Sequence, residues 1–582
     1  MADGRDGDGK VSSVAETTVA TGAESLLVGL RAAGIDWLFA NSGTDFPPII
    51  EAYASLPAQE VPVPVTIPHE TAAIGMAHGY WLATGRMQAV MVHVNVGLAN
   101  TAMGVINARS DDIPMLVMSG RTPITETGHS GSRMTPIQYG QEMFDQSSLV
   151  ADSVKWHYEM RYPEQGAGLV SRAAAIARSA PAGPVYLSLP REPLTEAVEP
   201  PAPVPRAQAA ATLPWPDPDA IATLAGWLAE AEAPVILIQR GDPAGNVAAA
   251  LDQLARTHGI AVAEPFSIRN VLPSDHPCLI GYDAKAATTG ADLVVVIDSG
   301  VPWIAATQAP SADARIVHIG CDPLIGRMPV RGYRSDLSLT GDPAAVLRAL
   351  LSAMGDPAPQ AAVRTDSLAA KSRARREAIH DKARATATDN PDAPMSAEWL
   401  SLCLTEAIGP EALVFSELGV LPGAMNLSGP NRLFNNPHSG GLGWALPAAL
   451  GAQLSDRERL VVACVGDGSY IFANPVACHQ IAEAMELPVL TIVKNNAMWN
   501  AVRRSVVNAY PDGAAVSRNK MPLVSLEPLP DLLAAASGSR AHVERVMRPT
   551  DLPGALDRAI GVIRDERRQA VLDVRVEISD KA

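Results

Sequence analysis

Cysteine is scarce in this chain, with five in 582 residues: Cys278, Cys321, Cys403, Cys464 and Cys478. They are scattered, mostly inside apolar runs, and no pair has metal-site spacing. That excludes a disulfide framework and a thiolate metal centre, and predicts reduced core residues of a cytoplasmic protein. No apolar run reaches the roughly 20 residues that a membrane-spanning helix needs. Basic charge is also short: 46 Lys and Arg against 62 Asp and Glu give a net charge of −16. Such a balance argues against a nucleic-acid partner. The basic stretch 371–384, with Arg373, Arg375 and Arg376, reads as a solvated helical face. No glycine-rich dinucleotide fingerprint follows the first strand, where Phe39-Ala40-Asn41-Ser42-Gly43 stands, and this excludes a nicotinamide dehydrogenase. No short-period repeat is present. Residues 1–14 are polar and rich in Gly and Asp, lack the apolar core of a signal peptide, and are expected to be disordered.

What remains is ordinary α/β material, 47% hydrophobic and 19% charged, too long for one core. Short β-branched runs alternate with helical patterns in three blocks. The first, 15–195, opens with a helical pattern through Leu26, Leu27 and Leu30, and closes at a strand near Pro184–Pro190. A Pro/Ala-rich linker leads to the second block, 215–355, and a charged helix leads to the third, 395–577. The expected fold is α/β, with three doubly wound parallel-sheet domains.

The chain is organised around residues 460–496. Leu460–Val465 is a buried-strand run that stops at Gly466-Asp467-Gly468-Ser469. Asn474 and Pro475 suit an N-cap and a first helical residue, Pro488 ends that helix, and a second apolar run ends at Asn495-Asn496. In a parallel sheet the two strand ends lie side by side, where ligands of open α/β sheets bind. Asp467 and Asn496 then offer hard oxygens. Mg²⁺ is usually held by one or two carboxylates together with substrate phosphates. Gly466 and Gly468 allow close backbone approach, and the N–H groups of Gly468 and Ser469 can face a phosphate.

Gly-Asp-Gly, 26 residues and Asn-Asn, with strand–helix–strand between, resembles the signature of thiamine diphosphate (ThDP) enzymes. The whole of 15–577 resembles the acetolactate synthase and benzoylformate decarboxylase group. In that group the blocks are pyrimidine-binding, central and diphosphate-binding domains. The resemblance implies Mg²⁺ held by Asp467, Asn496 and the carbonyl of Met498, with Trp499 and Gly419 among the cofactor-binding residues. Asn41-Ser42-Gly43 is similar to the pyrimidine-side Asn-Pro-Gly turn. Glu70, after His69, matches the activating glutamate that hydrogen-bonds the cofactor's pyrimidine. Gly440-Gly441-Leu442-Gly443-Trp444 resembles the motif that bends the cofactor, with Leu442 under the bend.

The resemblance further implies a small-molecule 2-oxo acid substrate, decarboxylation with carboligation as a second outcome, and no membrane partner. It implies a homodimer with sites at the interface, paired into a homotetramer. Val301-Pro302-Trp303 resembles synthase-type central domains, some of which hold FAD, but no fingerprint here supports a flavin. Thr44, His93, Gln141 and Trp303 are the candidate substrate-pocket residues, with His129 and His438 as looser candidates. By hand alignment the first histidine of benzoylformate decarboxylases falls at Val94, one place from His93. The alternatives are a ThDP-dependent C–C lyase or hydrolase, and a catalytically silent nucleotide-binding scaffold on the same fold.

Overall fold

The computed structural model describes residues 18–204 and 206–579, so the stretch expected to be disordered lies outside the described residues. Three six-stranded sheets, each wholly parallel, carry the chain. Their central strands, such as Ala89–Val92, Leu293–Ile297 and Val461–Gly466, are apolar and buried throughout or nearly so, as strands covered by helices on both faces must be. In the first sheet the order is Val63–Thr66, Trp37–Asn41, Ala89–Val92, Met115–Arg121, Pro184–Pro190 and His157–Glu159. The chain therefore reverses direction across the sheet between Trp37–Asn41 and Ala89–Val92. In the third sheet the corresponding reversal lies between Leu413–Glu417 and Val461–Gly466. These two switch points place Asn41–Asp45 beside His93, and Glu417–Gly419 beside Gly466–Asp467.

The helical pattern expected to open the first block begins later. Thr18–Thr21 is a strand paired antiparallel with Ala197–Pro203, and the helix runs Gly22–Ala32, capped by the Thr21 hydroxyl. The β-branched Thr-Val-Ala-Thr run suits a strand better than a first helical turn. The charged linker helix is longer than expected, a 31-residue span from Pro359 to Asp389. No described helix is long and apolar enough to cross a membrane.

The first and third domains meet through two helices rich in small residues, Glu70–Thr84 and Ala445–Ser455. A Cβ on Gly75 would lie 2.5 Å from Pro447, one on Gly79 1.9 Å from the carbonyl of Ala448, and one on Gly451 2.0 Å from that of Met76. Glycine is required at 79 and 451 because backbone faces backbone, and at 75 because the Pro447 ring fills the space. Buried His78 adds an edge-on contact to Trp444, with ring centroids 5.4 Å apart. Gly79→Ala tests this crossing. Helix propensity alone favours Ala by about 1 kcal/mol, whereas overpacking against backbone costs about 1–3 kcal/mol. The variant should therefore unfold at a lower temperature in scanning calorimetry, and an equal or higher midpoint would show that the crossing is not close-packed.

Candidate active site

At the third sheet's switch point, Val461–Gly466 ends and a helix starts at once, Asp467–Phe472, where a loop was expected. The reason is local: Gly466 is extended, and Asp467 supplies the acidic first-turn residue that a helix N-terminus favours. Asp467 is buried, and both of its oxygens are engaged. Oδ1 accepts Gly468 N–H at 2.7 Å, and Oδ2 accepts the N–H groups of Asn496 and Ala497 at 3.0 and 2.6 Å. One carboxylate thus draws the end of the neighbouring strand onto its own. Ala497 turns the chain with φ of 60°, and Asn496 Oδ1 accepts Met498 N–H at 3.2 Å. Burial raises the Asp467 carboxyl above its ordinary range, against the pull of these N–H donors.

The donor set here is a carboxylate, a side-chain amide and the nearby main chain of Met498. These are hard oxygens of the kind that Mg²⁺ takes. Among the described residues no cluster of three His, Cys, Asp or Glu could hold a metal by itself. A metal at Asp467 would complete its shell from water or from a ligand's oxygens, such as those of a diphosphate. Trp499 closes the side: a Cβ on Gly468 would lie 2.2 Å from its ring, and Phe472 meets that ring edge-on at 5.7 Å. Gly419 lies against the strand, where a Cβ would be 2.2 Å from the Cys464 carbonyl. Gly440 and Gly443 have φ of 71° and 86° on either side of Gly441 and Leu442.

The other half-site sits on the first domain. Glu70 begins its helix, is 8% exposed, and accepts a 3.1 Å hydrogen bond from Asn100 Nδ2. Gly97 backs it closely, since a Cβ there would lie 3.2 Å from Glu70 Oε1. Asn41 Nδ2 donates to the Ile67 carbonyl at 2.9 Å, fixing the turn through Ser42, Gly43 and Thr44. Gly43 lies on the His93 ring, 2.2 Å from where its own Cβ would stand.

His93 is gripped at both nitrogens. Nδ1 lies 2.5 Å from Asp45 Oδ1, and Nε2 lies 3.1 Å from the Gln141 amide. Asp45 is buried and also accepts Val94 N–H at 3.2 Å, where Val94 has a left-handed φ of 32°. The Asp45 hydrogen bond holds His93 above the usual imidazole range, helped by the charges of Asp45 and Glu70 and opposed by burial. The structure thus brings His93, Gln141 and Glu70 together.

Trp303 lies away from this cluster. It is 3% exposed and lies in the central domain's core, edge-on to Tyr333. His129 is exposed beside Glu196, and His438 binds the Phe266 carbonyl between domains, so neither joins the cluster. Sequence reasoning missed Asp45, Asn100, Asn107 and Glu417. Asp45 was within reach, being two residues beyond Gly43 on the same switch-point turn. The N-terminus of Asn246–His258 is filled by Asp242, which accepts Asn246 and Val247 N–H at 3.1 and 2.6 Å.

Comparison with known proteins places the three domains in one family. Models of the thiamine pyrophosphate enzyme N-terminal TPP binding domain, central domain and C-terminal TPP binding domain match residues 20–149, 221–350 and 420–574. The chain belongs to the thiamine pyrophosphate enzyme family. Its relatives include benzoylformate decarboxylase of Pseudomonas aeruginosa, 26% identical over 563 residues, covering 92% of this chain and 96% of that protein. The acetolactate synthase large subunit of Parasynechococcus marenigrum is 26% identical over 539 residues, covering 89% and 82%. In fold the chain resembles the thiamine diphosphate-dependent 4-hydroxybenzoylformate decarboxylase of Rhodococcus jostii, with a TM-score of 0.76 at 23% identity over 97% of this chain and all of that one.

Because the folded-state pKa of His93 is raised, its charged form stabilises the fold. That contribution is complete below the ordinary imidazole value, about 6.5, and is lost as pH rises through the raised value. Asp45→Asn should therefore destabilise the protein more at pH 5 than at pH 9 in thermal unfolding. An equal loss at both would show that His93 carries no Asp45-dependent charge.

Proposed function

We propose that this protein is a ThDP- and Mg²⁺-dependent enzyme that decarboxylates a 2-oxo acid. The observation that carries the reading is the Asp467 turn, where one buried carboxylate gathers Asn496, Ala497 and Gly468 into a hard-oxygen site at a sheet switch point. Asp467, Asn496 and the Met498 carbonyl would hold the metal, and the Ser469 N–H would face the diphosphate, while the Gly468 N–H stays on Asp467 Oδ1. When bound, thiamine diphosphate supplies a carbon nucleophile and an electron sink for the departing carboxylate.

The chain's own residues do the rest. Glu70 would hold a proton at the cofactor's pyrimidine nitrogen, steadied by Asn100. Asn41, Ser42 and Gly43 would flank that ring, and Leu442 would support the bend. His93, charged against Asp45 at Nδ1, would donate to the substrate from Nε2, the Gln141 amide nitrogen that now lies 3.1 Å away giving up that position. A positioned imidazolium favours protonation of the product carbon over attack on a second carbonyl, which supports a decarboxylase before a carboligase. A screen of aliphatic 2-oxo acids and benzoylformate, with product analysis, decides this. Aldehyde release that falls sharply in His93→Ala is expected, and a coupled hydroxy-ketone as main product would overturn it.

Glu70→Gln keeps size but removes the acid. Its fold should survive while cofactor C2 deuterium exchange slows by about 10² to 10⁴. Wild-type exchange would remove Glu70 from the activating role.

We infer a dimer as the working unit. Exposed apolar side chains border both halves, among them Val96 at 50%, Leu418 at 45% and Phe472 at 55%, and Phe144 is fully exposed. A second copy would cover them and bring Glu70 of one chain to Asp467 of the other. Mixing Glu70→Gln and Asp467→Ala chains should then restore about a quarter of wild-type activity, because about half the dimers would be mixed, each with one intact site. Subunit exchange without recovery would place each site within one chain.

A further inference from the structure

Leu442 stands between two buried clamps that come from different domains. On one side Asn107, 2% exposed on the helix Val94–Ser110, reaches across to the third domain. Its Oδ1 accepts Ser439 Oγ at 2.5 Å and Gly441 N–H at 3.1 Å, and its Nδ2 donates to the Gly441 carbonyl at 2.9 Å. The side-chain amide thus pairs with a backbone amide in both directions. Only glycine fits there, since a Cβ on residue 441 would lie 2.5 Å from Asn107 Oδ1.

On the other side Glu417, fully buried at the end of Leu413–Glu417, receives three main-chain donors. Oε1 accepts Gly443 N–H at 2.7 Å, and Oε2 accepts the N–H groups of Trp444 and Ala445 at 2.7 and 2.9 Å. These are orphan donors at the start of the helix Ala445–Ser455, where a negative charge is most favourable. Gly443 is itself seated, since a Cβ there would lie 2.5 Å from the Phe472 carbonyl. Among the described residues no hydrogen bond reaches the main chain of Leu442 itself. Every residue from 439 to 445 that a clamp holds is held on one side of Leu442 or the other.

We propose that Asn107 and Glu417 are positioning residues that together hold Leu442 in a single pose against the cofactor. A loop bearing two left-handed glycines is free to adopt many conformations. Without both clamps Leu442 would sample several positions, and the cofactor would be bound without being held in its reactive shape. The arrangement also makes one loop answer to two domains, because Asn107 belongs to the first and Glu417 to the third. This rests on the cofactor reading above, and its test separates the two.

The test uses the full-length protein with ThDP and Mg²⁺. Glu417→Gln puts an NH₂ where an N–H donor now points, and Asn107→Leu keeps volume while deleting the amide pair. Calorimetric titration reads ThDP affinity, quenched NMR reads C2 deuterium exchange at saturating ThDP, and amide hydrogen exchange of the cofactor-free protein reads residues 439–445. Each variant should stay folded, lose protection in 439–445, and slow C2 exchange at saturation at least tenfold. Leu442→Ala should slow it similarly, and adding Glu417→Gln to Leu442→Ala should slow it no further, since the clamp acts through that side chain. Multiplying losses in the double variant, or wild-type C2 exchange in both clamp variants, would reduce the clamp to ordinary helix capping and overturn the proposal. A wild-type chain that binds no ThDP would instead sink the proposed function, whatever the clamp variants do.

Discussion

Close contact between the helices Glu70–Thr84 and Ala445–Ser455 is the constraint on which the rest depends. Both are nearly uniform in hydrophobicity around their circumference, because both are buried on all sides. Gly75, Gly79 and Gly451 let the backbones approach to a distance that no side chain tolerates. Dispersion contacts fall away steeply with separation, so such an approach gains much and leaves little room to slide. Each helix follows the edge strand of its sheet, Val63–Thr66 or Leu433–Asn435, and carries the chain back across the sheet. One starts at Glu70 and the other just past Leu442, so the joint that holds the domains together also sets the positions of two functional loops.

The polar groups at the site follow from burial. Asp467 and Glu417 are both buried carboxylates at strand ends, and each is satisfied by backbone N–H groups rather than by a basic side chain. Burying a charge without such partners would be prohibitive. Glu417 takes the first N–H groups of the helix Ala445–Ser455, which have no partner within that helix. Asp467 takes one N–H of its own turn and two from the end of the neighbouring strand. His93 reaches the same end by another route, with Asp45 at one nitrogen and Gln141 at the other. Lys494 completes the pattern: its ammonium, pushed below the usual lysine range by burial, donates to the Leu418 carbonyl at 3.1 Å.

Much of this was legible in the chain as written. Three sheets could be read because fully buried parallel strands are short, β-branched and continuous, and that signal is local. Asp467 and Asn496 could be paired because a strand–helix–strand unit brings consecutive strand ends together whatever lies elsewhere. Glu70 could be found because its neighbours carry a recognisable pattern. The strand Thr18–Thr21 is not expected from its surroundings, because its partner, Ala197–Pro203, lies almost the length of a domain away.

By itself, then, the sequence determined the α/β class, the Asp467–Asn496 pair and the family of chemistry, all of which rest on residues close together in the chain or joined by one crossover. Only the tertiary structure decided that Trp303 is core, that Asp45 and Gln141 grip His93, and that Asn107 holds Gly441 from 334 positions away. The physical reason is one of range. Hydrophobic period and turn chemistry are written within about 20 residues, whereas a hydrogen bond between domains depends on how whole sheets and helices pack, and no local pattern of residues records that.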